Sequence, residues 1–221
     1  AGAVLLCLPI SSQDGDSVPF INALFTATSA TCVTGLVVYD TAIQWSIFGQ
    51  MVIILLIQVG GIGFMTILTM FSMAFRRKIN LSERRLLVQS VGSVNVSGIV
   101  KLIKKILMGT FIFELLGAMM LSFRFIPKFG WLKGIYFSFF HSVSAFCNAG
   151  FDIMGSNDGA YASLTAYSGD MLVSGTIMAL IVIGGIGFIV WSDIVAYKLD
   201  FAKYSLHTKI VLSATVLLII I

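Results

Sequence analysis

Two five-residue runs in this chain could do chemistry: Thr31-Cys32-Val33-Thr34-Gly35 and Phe146-Cys147-Asn148-Ala149-Gly150. Each follows an apolar, small-residue stretch and ends on glycine where a membrane helix would be expected to continue. The chemistry open to such runs is that of the main chain. Glycine permits the positive φ that turns successive carbonyls toward a common axis, and a ring of carbonyls can replace the hydration shell of a potassium ion. No basic residue lies between Phe20 and Leu36 or between Gly134 and Phe151, so neither run is built for an anion. No Ser/His/Asp set, metal-ligand cluster or acid pair converges, which argues against an enzyme. Cys7, Cys32 and Cys147 lack metal-type spacing and read as buried free thiols.

The elements that must carry these runs are membrane helices. Of 221 residues, 58% are hydrophobic and 11% charged, against roughly 25% charged in soluble domains; mean hydropathy is +1.00. Apolar stretches cover Trp45 to Phe75, Ile106 to Phe123 and Met171 to Trp191, near or above the ~20 residues that span a bilayer core. They show no sustained alternation, which excludes a barrel. Ala1 to Ile10 reads as the tail of a spanning helix, and Ile210 to Ile221 as a helix that stops mid-membrane by length. The expectation is a piece of a longer protein.

Charge sets the orientation. Arg76, Arg77, Lys78, Arg84, Arg85, Lys101, Lys104 and Lys105, with Lys198, Lys203 and Lys209, are eleven of the fourteen basic residues and mark the cytoplasmic side. The opposite loops hold Asp14, Asp16, Asp40, Asp152, Asp158 and Asp170, with Arg124, Lys128 and Lys133 as basic exceptions. Singly these acids read as solvated; together they concentrate cations at a mouth. With those sides fixed, apolar Val18 to Val38 cannot cross without reversing the helix that follows, so it must enter and return. Trp131 to Cys147 poses the same problem.

The two problems share a sequence. Phe25-x3-Ser29-Ala30-x-Cys32-x2-Gly35 recurs as Phe140-x3-Ser144-Ala145-x-Cys147-x2-Gly150, and Gly60-Gly61-Ile62-Gly63-Phe64 recurs as Gly184-Gly185-Ile186-Gly187-Phe188. The longer spacing in the second copy predicts an insertion around Met154 to Ser168. Each unit is then helix, re-entrant half-helix with an extended segment, helix. Irregular backbone at this depth belongs where protein buries it or where it lines a watery cavity. The first half-helix is predicted from about Pro19, a good first-turn residue, to about Ala30. Entering from outside, its partly negative C-terminal end faces the membrane centre and favours a cation. The glycine pairs have no preceding strand, so they are not a nucleotide fingerprint and instead let the second helix approach closely.

On these motifs the chain resembles the Trk/Ktr/HKT superfamily of potassium transporters, and T-x-V-T-G-L with G-G-I-G-F is most similar to the bacterial Ktr membrane subunit (KtrB-like). The resemblance implies an all-α membrane protein of M1-pore loop-M2 repeats with re-entrant half-helices, two of an expected four pseudo-fourfold repeats being present. Residues 1–75 would be the end of M1, pore loop and M2 of the first repeat, and 76–98 a basic cytoplasmic loop. Residues 99–197 would be the second repeat, and 198–221 a cytoplasmic loop with the third M1, starting at Ser205-Leu206-His207-Thr208-Lys209. The selectivity filter carried over is Thr31, Cys32, Val33, Thr34 and Gly35, then Phe146, Cys147, Asn148, Ala149 and Gly150, holding potassium through backbone carbonyls. Gly35 points to potassium, since a serine there accompanies sodium transport in plant relatives. The second strand departs from the threonine-valine pattern.

The implied function is potassium uptake across the cell membrane, multi-pass, through a channel-like pore gated from the cytoplasm; the alternative is a sodium-dependent, cation-coupled secondary transporter. Potassium is the implied transported ion and sodium a modulator, with no covalent cofactor. The implied partners are a second copy in a homodimer, a cytoplasmic ring of nucleotide-binding KtrA/TrkA-like subunits and membrane lipid, with no nucleic acid. Three further residues carry expectations. Glu114, ionisable inside M1, either serves transport or is hydrogen-bonded in the interior; His141 either packs or hydrogen-bonds in the second pore helix or gates the ion; Asn148 gates or braces the filter. Asn80 or Ser82 is a helix cap in the basic loop.

Overall fold

The structure is a computed structural model and describes residues 1–63, 99–198 and 200–220. Among these residues it is helical, with one isolated extended bridge between Ser12 and Trp45. The chain opens with α1 (Gly2–Leu6), a 3-10 turn at Pro9–Ser11, α2 (Phe20–Thr31), α3 (Thr41–Gln44) and α4 (Ile47–Ile62). From Ile99 it continues as α5 (Ile99–Phe129), α6 (Trp131–Phe146), α7 (Gly155–Asp158), a 3-10 turn at Thr165–Tyr167 and α8 (Met171–Gly185). It ends with α9 (Phe188–Tyr197), a 3-10 turn at Phe201–Lys203 and α10 (Leu206–Ile220).

Local chemistry starts and stops these elements. Ser46 Oγ accepts the Gly49 N–H and caps α4, so Trp45 stays extended and fully buried outside the helix the apolar pattern began there. Asp40 and Asp170 cap α3 and α8 in the same way. Pro19 stands at the cap of α2, one residue before the first turn expected for it, and the helix ends at Thr31. Gly130 alone joins α5 to α6 and folds them into a hairpin.

Packing repeats along the chain. The half-length helix α2 lies against α1 and α4; α6 lies against α5 and α8; α4 also touches α6 and so joins the two groups. One core runs through both, with Leu6, Trp45, Ile53, Leu121, Phe125 and Phe140 fully buried. Outside it, α5 exposes Met108, Phe111, Leu115 and Phe123, an apolar surface more extensive than a soluble monomer presents. Among the described helices, α5 alone is long and apolar enough to cross a membrane by itself, over Lys104–Phe129. The pair α8 and α9 meets that test jointly but bends by 93°.

That bend corrects the reading of Met171 to Trp191 as one continuous helix. The break falls at Ile186-Gly187, where Gly187 takes φ 87°, a left-handed conformation that ends α-helical hydrogen bonding. The same four-residue motif ends α4, with Gly63 at φ 89°, so the expected helix from Trp45 to Phe75 stops at Ile62 and its remainder lies outside the described residues. Arg76 to Arg85 and the expected caps Asn80 and Ser82 also lie outside them. Lys101, Lys104 and Lys105 fall within α5. The segment from Met154 to Ser168, where an insertion was expected, contains α7 and the Thr165–Tyr167 turn.

Candidate functional site

The two runs singled out by their residue types leave their helices by the same route. The Cys32 N–H donates to Thr28 O at 2.8 Å, and the Cys147 N–H to Val143 O at 2.9 Å. Next, Val33 donates to Ala30 O at 3.3 Å and Asn148 to Ala145 O at 3.0 Å; then Thr34 donates to Ser29 O at 3.0 Å and Ala149 to Ser144 O at 2.8 Å. The backbone angles agree as well: φ is 57° at Val33 and 59° at Asn148, 74° at Gly35 and 72° at Gly150. A β-branched valine in the left-handed region is strained by about 1–2 kcal/mol and persists only where its surroundings over-determine it. Here the hydrogen bonds on either side do so.

With the N–H groups turned back onto the helix ends, the carbonyls are left free. Among the described residues no protein donor reaches the carbonyl oxygens of Cys32 to Gly35 or of Cys147 to Gly150. The two runs meet at their glycine ends, where a Cβ on Gly35 would stand 2.6 Å from Ala149 O and one on Gly150 would be 3.7 Å from Gly35 Cα. Side chains brace each run from behind. Ser29 Oγ and Thr34 Oγ1 are 2.9 Å apart in the first, and Ser144 Oγ donates to Phe151 O at 2.6 Å in the second.

The second helices of the two groups wall these runs in. A Cβ on Gly60 would lie 2.9 Å from the carbonyl carbon of Thr31, and one on Gly184 at 2.9 Å from that of Phe146, each closer still to the oxygen. Gly61 faces Cys147 instead, so α4 supports both runs. This explains an asymmetry between the cysteines. Cys147 is buried under α4, whereas Cys32 is exposed and Cys7 half-buried, so only one of the three is the buried thiol expected.

Comparison with known proteins identifies the fold that carries these runs. Residues 4–219 match the family model TrkH, described as "Cation transport protein". The chain belongs to the TrkH family. Its TrkH relatives include the potassium/sodium uptake protein NtpJ of Enterococcus hirae, 47% identical over 219 residues, which are 99% of this chain and 47% of that protein. The Ktr system potassium uptake protein B of Bacillus subtilis is 44% identical over 217 residues, 98% of this chain and 47% of that one. The protein of the same name from Vibrio alginolyticus is 37% identical over 220 residues, 99% and 47% respectively. The chain therefore spans about half the length of the curated TrkH relatives it matches.

Around the runs, the TrkH chain uses several of its acids structurally. Asp40 is 8% exposed, not solvated: its Oδ1 accepts from Ala42 N and Ile43 N, and its Oδ2 from Tyr161 N at 2.7 Å. One carboxylate thus fixes the exit of the first run and pins the segment before α8. Asp170 pairs with Arg124 at 3.0 Å while capping α8, and Asp152 accepts from Met154 N. Removing a charged acceptor that holds three N–H groups costs about 1.5–3 kcal/mol. Asp40→Ala in the full-length chain is therefore expected to lower the thermal midpoint of the detergent-purified protein and expose the 154–168 segment to protease. An unchanged midpoint and digestion pattern would contradict this role.

His141 sits where a brace is needed. It is 2% exposed, with Nδ1 2.7 Å from Phe137 O and Nε2 3.5 Å from Ile153 N, among the rings of Phe125, Phe137 and Phe140. It packs and hydrogen-bonds, as one of its two readings held. Asn148 Nδ2 reaches Phe146 O at 3.4 Å. Sequence reasoning missed Gln50, Gln58 and Tyr136. Gln50 donates to Thr41 O and Trp45 O and accepts from Tyr136 Oη at 2.7 Å, tying α4 to α6. Their signal was available, because an uncharged polar side chain inside an apolar helix is there to bond across helices.

Proposed function

We propose that this chain forms half of a potassium-uptake pore, its two runs being two of four strands of a carbonyl-lined selectivity filter. The observation that carries the proposal is the pair of matched runs whose amides at 32–34 and 147–149 turn back onto the helix ends and whose carbonyls from Cys32 to Gly35 and from Cys147 to Gly150 meet no protein donor among the described residues. Free carbonyls without a ligand are costly in a low-dielectric setting, and a dehydrated alkali cation satisfies them. The C-terminal ends of α2 and α6 lead directly into the runs and add a partial negative charge on that side. The paired packing of α1, α2 and α4 against that of α5, α6 and α8 supports the M1-pore loop-M2 repeats with re-entrant half-helices. The names of the relatives, potassium or potassium/sodium uptake proteins, support potassium as the ion.

In this reading the basic segments 76–105 and 198–209 face the cytoplasm and the pore loops enter from outside, in a multi-pass arrangement of the cell membrane. The relatives named as parts of Ktr systems support a partner on the basic side. A nucleotide-binding ring gating the pore, and pairing with a second copy, rest on the resemblance of the filter motifs. Passive entry would draw on the membrane potential, worth about 2.3 kcal/mol per charge per 100 mV.

The test is rubidium flux into proteoliposomes holding the full-length chain, driven by a potassium-diffusion potential, with sodium as competitor. Rubidium is expected to enter without a sodium gradient, and sodium to compete weakly. Uptake that requires a sodium gradient would overturn the passive pore in favour of coupled transport; equal entry of both ions would overturn the filter.

A further inference from the structure

Behind the second run stands a buried polar cluster that an ion pathway along the carbonyls does not use. Glu114, from the middle of α5, is 1% exposed. Its Oε1 accepts from Gln58 Nε2 of α4 at 2.8 Å, and Cys147 Sγ lies 4.0 Å from the same oxygen and 3.8 Å from Gln58 Oε1. Ser142 Oγ donates to the Glu114 main-chain carbonyl at 2.6 Å, which fixes α5 to α6 at this level. The carboxyl therefore touches the helix that walls the filter strand and the strand's own cysteine.

Two atoms of the cluster are unaccounted for. Glu114 Oε2 is buried without a hydrogen-bond partner, and so is Thr110 Oγ1, also in a residue 1% exposed. Residues four apart lie on one face of a helix, so the two orphans are neighbours on the same side of α5. Buried polar atoms without partners are rare and point to an unseen ligand. A carboxylate oxygen only accepts, and a threonine hydroxyl both donates and accepts. The small molecule that meets both is water, which typically makes about three hydrogen bonds in such sites.

We propose that Thr110 and Glu114 hold a buried water between them, and that the Gln58–Glu114–Cys147 contacts it steadies set the position of the second filter strand. Glu114 is then a positioning residue for potassium over sodium, acting through Cys147 without touching the ion. The physical need is plain. The second strand lacks the threonine-valine pattern of the first, and its cysteine is the point at which α4 and α5 both press on it. A carboxylate anchored at one oxygen only would swing; the water fixes the other.

This inference rests on the filter reading, and the test separates the two. Rubidium-to-sodium flux ratios are measured in proteoliposomes with the full-length chain for T110V, T110S, E114A, the T110V/E114A pair and G35A. T110V, which keeps the shape of the side chain, is expected to lower the ratio about threefold and E114A about fivefold, the range in which mutations coupled to a site through packed neighbours act. T110S is expected to restore it, and the double variant to match E114A alone, because one water serves both groups. If G35A changes the ratio while T110V and E114A do not, the filter stands and the water-held brace is wrong. If the two single effects multiply, the groups do not share a ligand and the proposal falls. If G35A too leaves the ratio unchanged, the filter reading fails and takes the brace with it.

Discussion

Full-length chain carrying Gly150→Ala is expected to take up rubidium about five- to thirtyfold more slowly than the unaltered protein, and Gly35→Ala at least about fivefold more slowly again. Both glycines have left-handed φ, and an alanine there costs about 1–2 kcal/mol of backbone strain. Only at Gly35 does the new methyl meet the opposite run, 2.6 Å from Ala149 O, whereas at Gly150 the nearest atom is at an ordinary 3.7 Å. The carbonyl of Ala149 must then move, and it is one of those proposed to face the ion. At about 1.4 kcal/mol per tenfold change in rate, the shared strain sets the loss at Gly150 and the clash adds the further loss at Gly35. Initial uptake rates in cells lacking their own potassium uptake, normalised to the protein in the membrane, measure both variants. Equal losses would show that the contact between the runs is not what matters.

A comparable effect is expected one layer out. Gly60→Ala and Gly184→Ala each drive a methyl group into the main chain where α2 or α6 hands over to its run, 2.9 Å from the carbonyl carbon and nearer to the oxygen. Neither backbone can give way by rotating a side chain. Overpacking of this kind costs about 1–3 kcal/mol or more, which corresponds to a loss of uptake of about ten- to a hundredfold in each variant. Gly185→Ala is the control, because its nearest neighbour, Asn148 Nδ2, is 3.7 Å away. Alanine there should leave uptake near its normal rate, since it also improves helix propensity. Should Gly185→Ala prove as damaging as Gly184→Ala, the glycines would matter for helix flexibility and not for close approach.

Much of this arrangement was legible because backbone requirements leave marks on sequence. The runs were found from small residues and glycine where apolar helix should continue, and the structure gives those glycines left-handed backbones. The glycine pairs announced a close approach, and Gly60 and Gly184 make it. Other features could not be read because they depend on what lies across space. Asp40 looked like one of several outer acids; its burial follows from Tyr161 folding back onto it, 121 residues later. Glu114 was recognised as an unusual residue, but its partners Gln58 and Cys147 come from elements that periodicity cannot place together. The bend between α8 and α9 was hidden by composition, since Gly-Gly-Ile-Gly is apolar enough to pass for helix.

Gly61 carries one more consequence. It sets α4, made early in the chain, against Cys147, made much later. The first run rests on helices of its own group, but the second rests partly on a helix that must already be in place when it arrives. Synthesis order therefore matters to the finished wall: a chain that delivers α6 before α4 has settled has only α5 to shape Cys147 against. A circularly permuted gene beginning at α5 would encode every contact described above, yet make Cys147 before the helix that covers it.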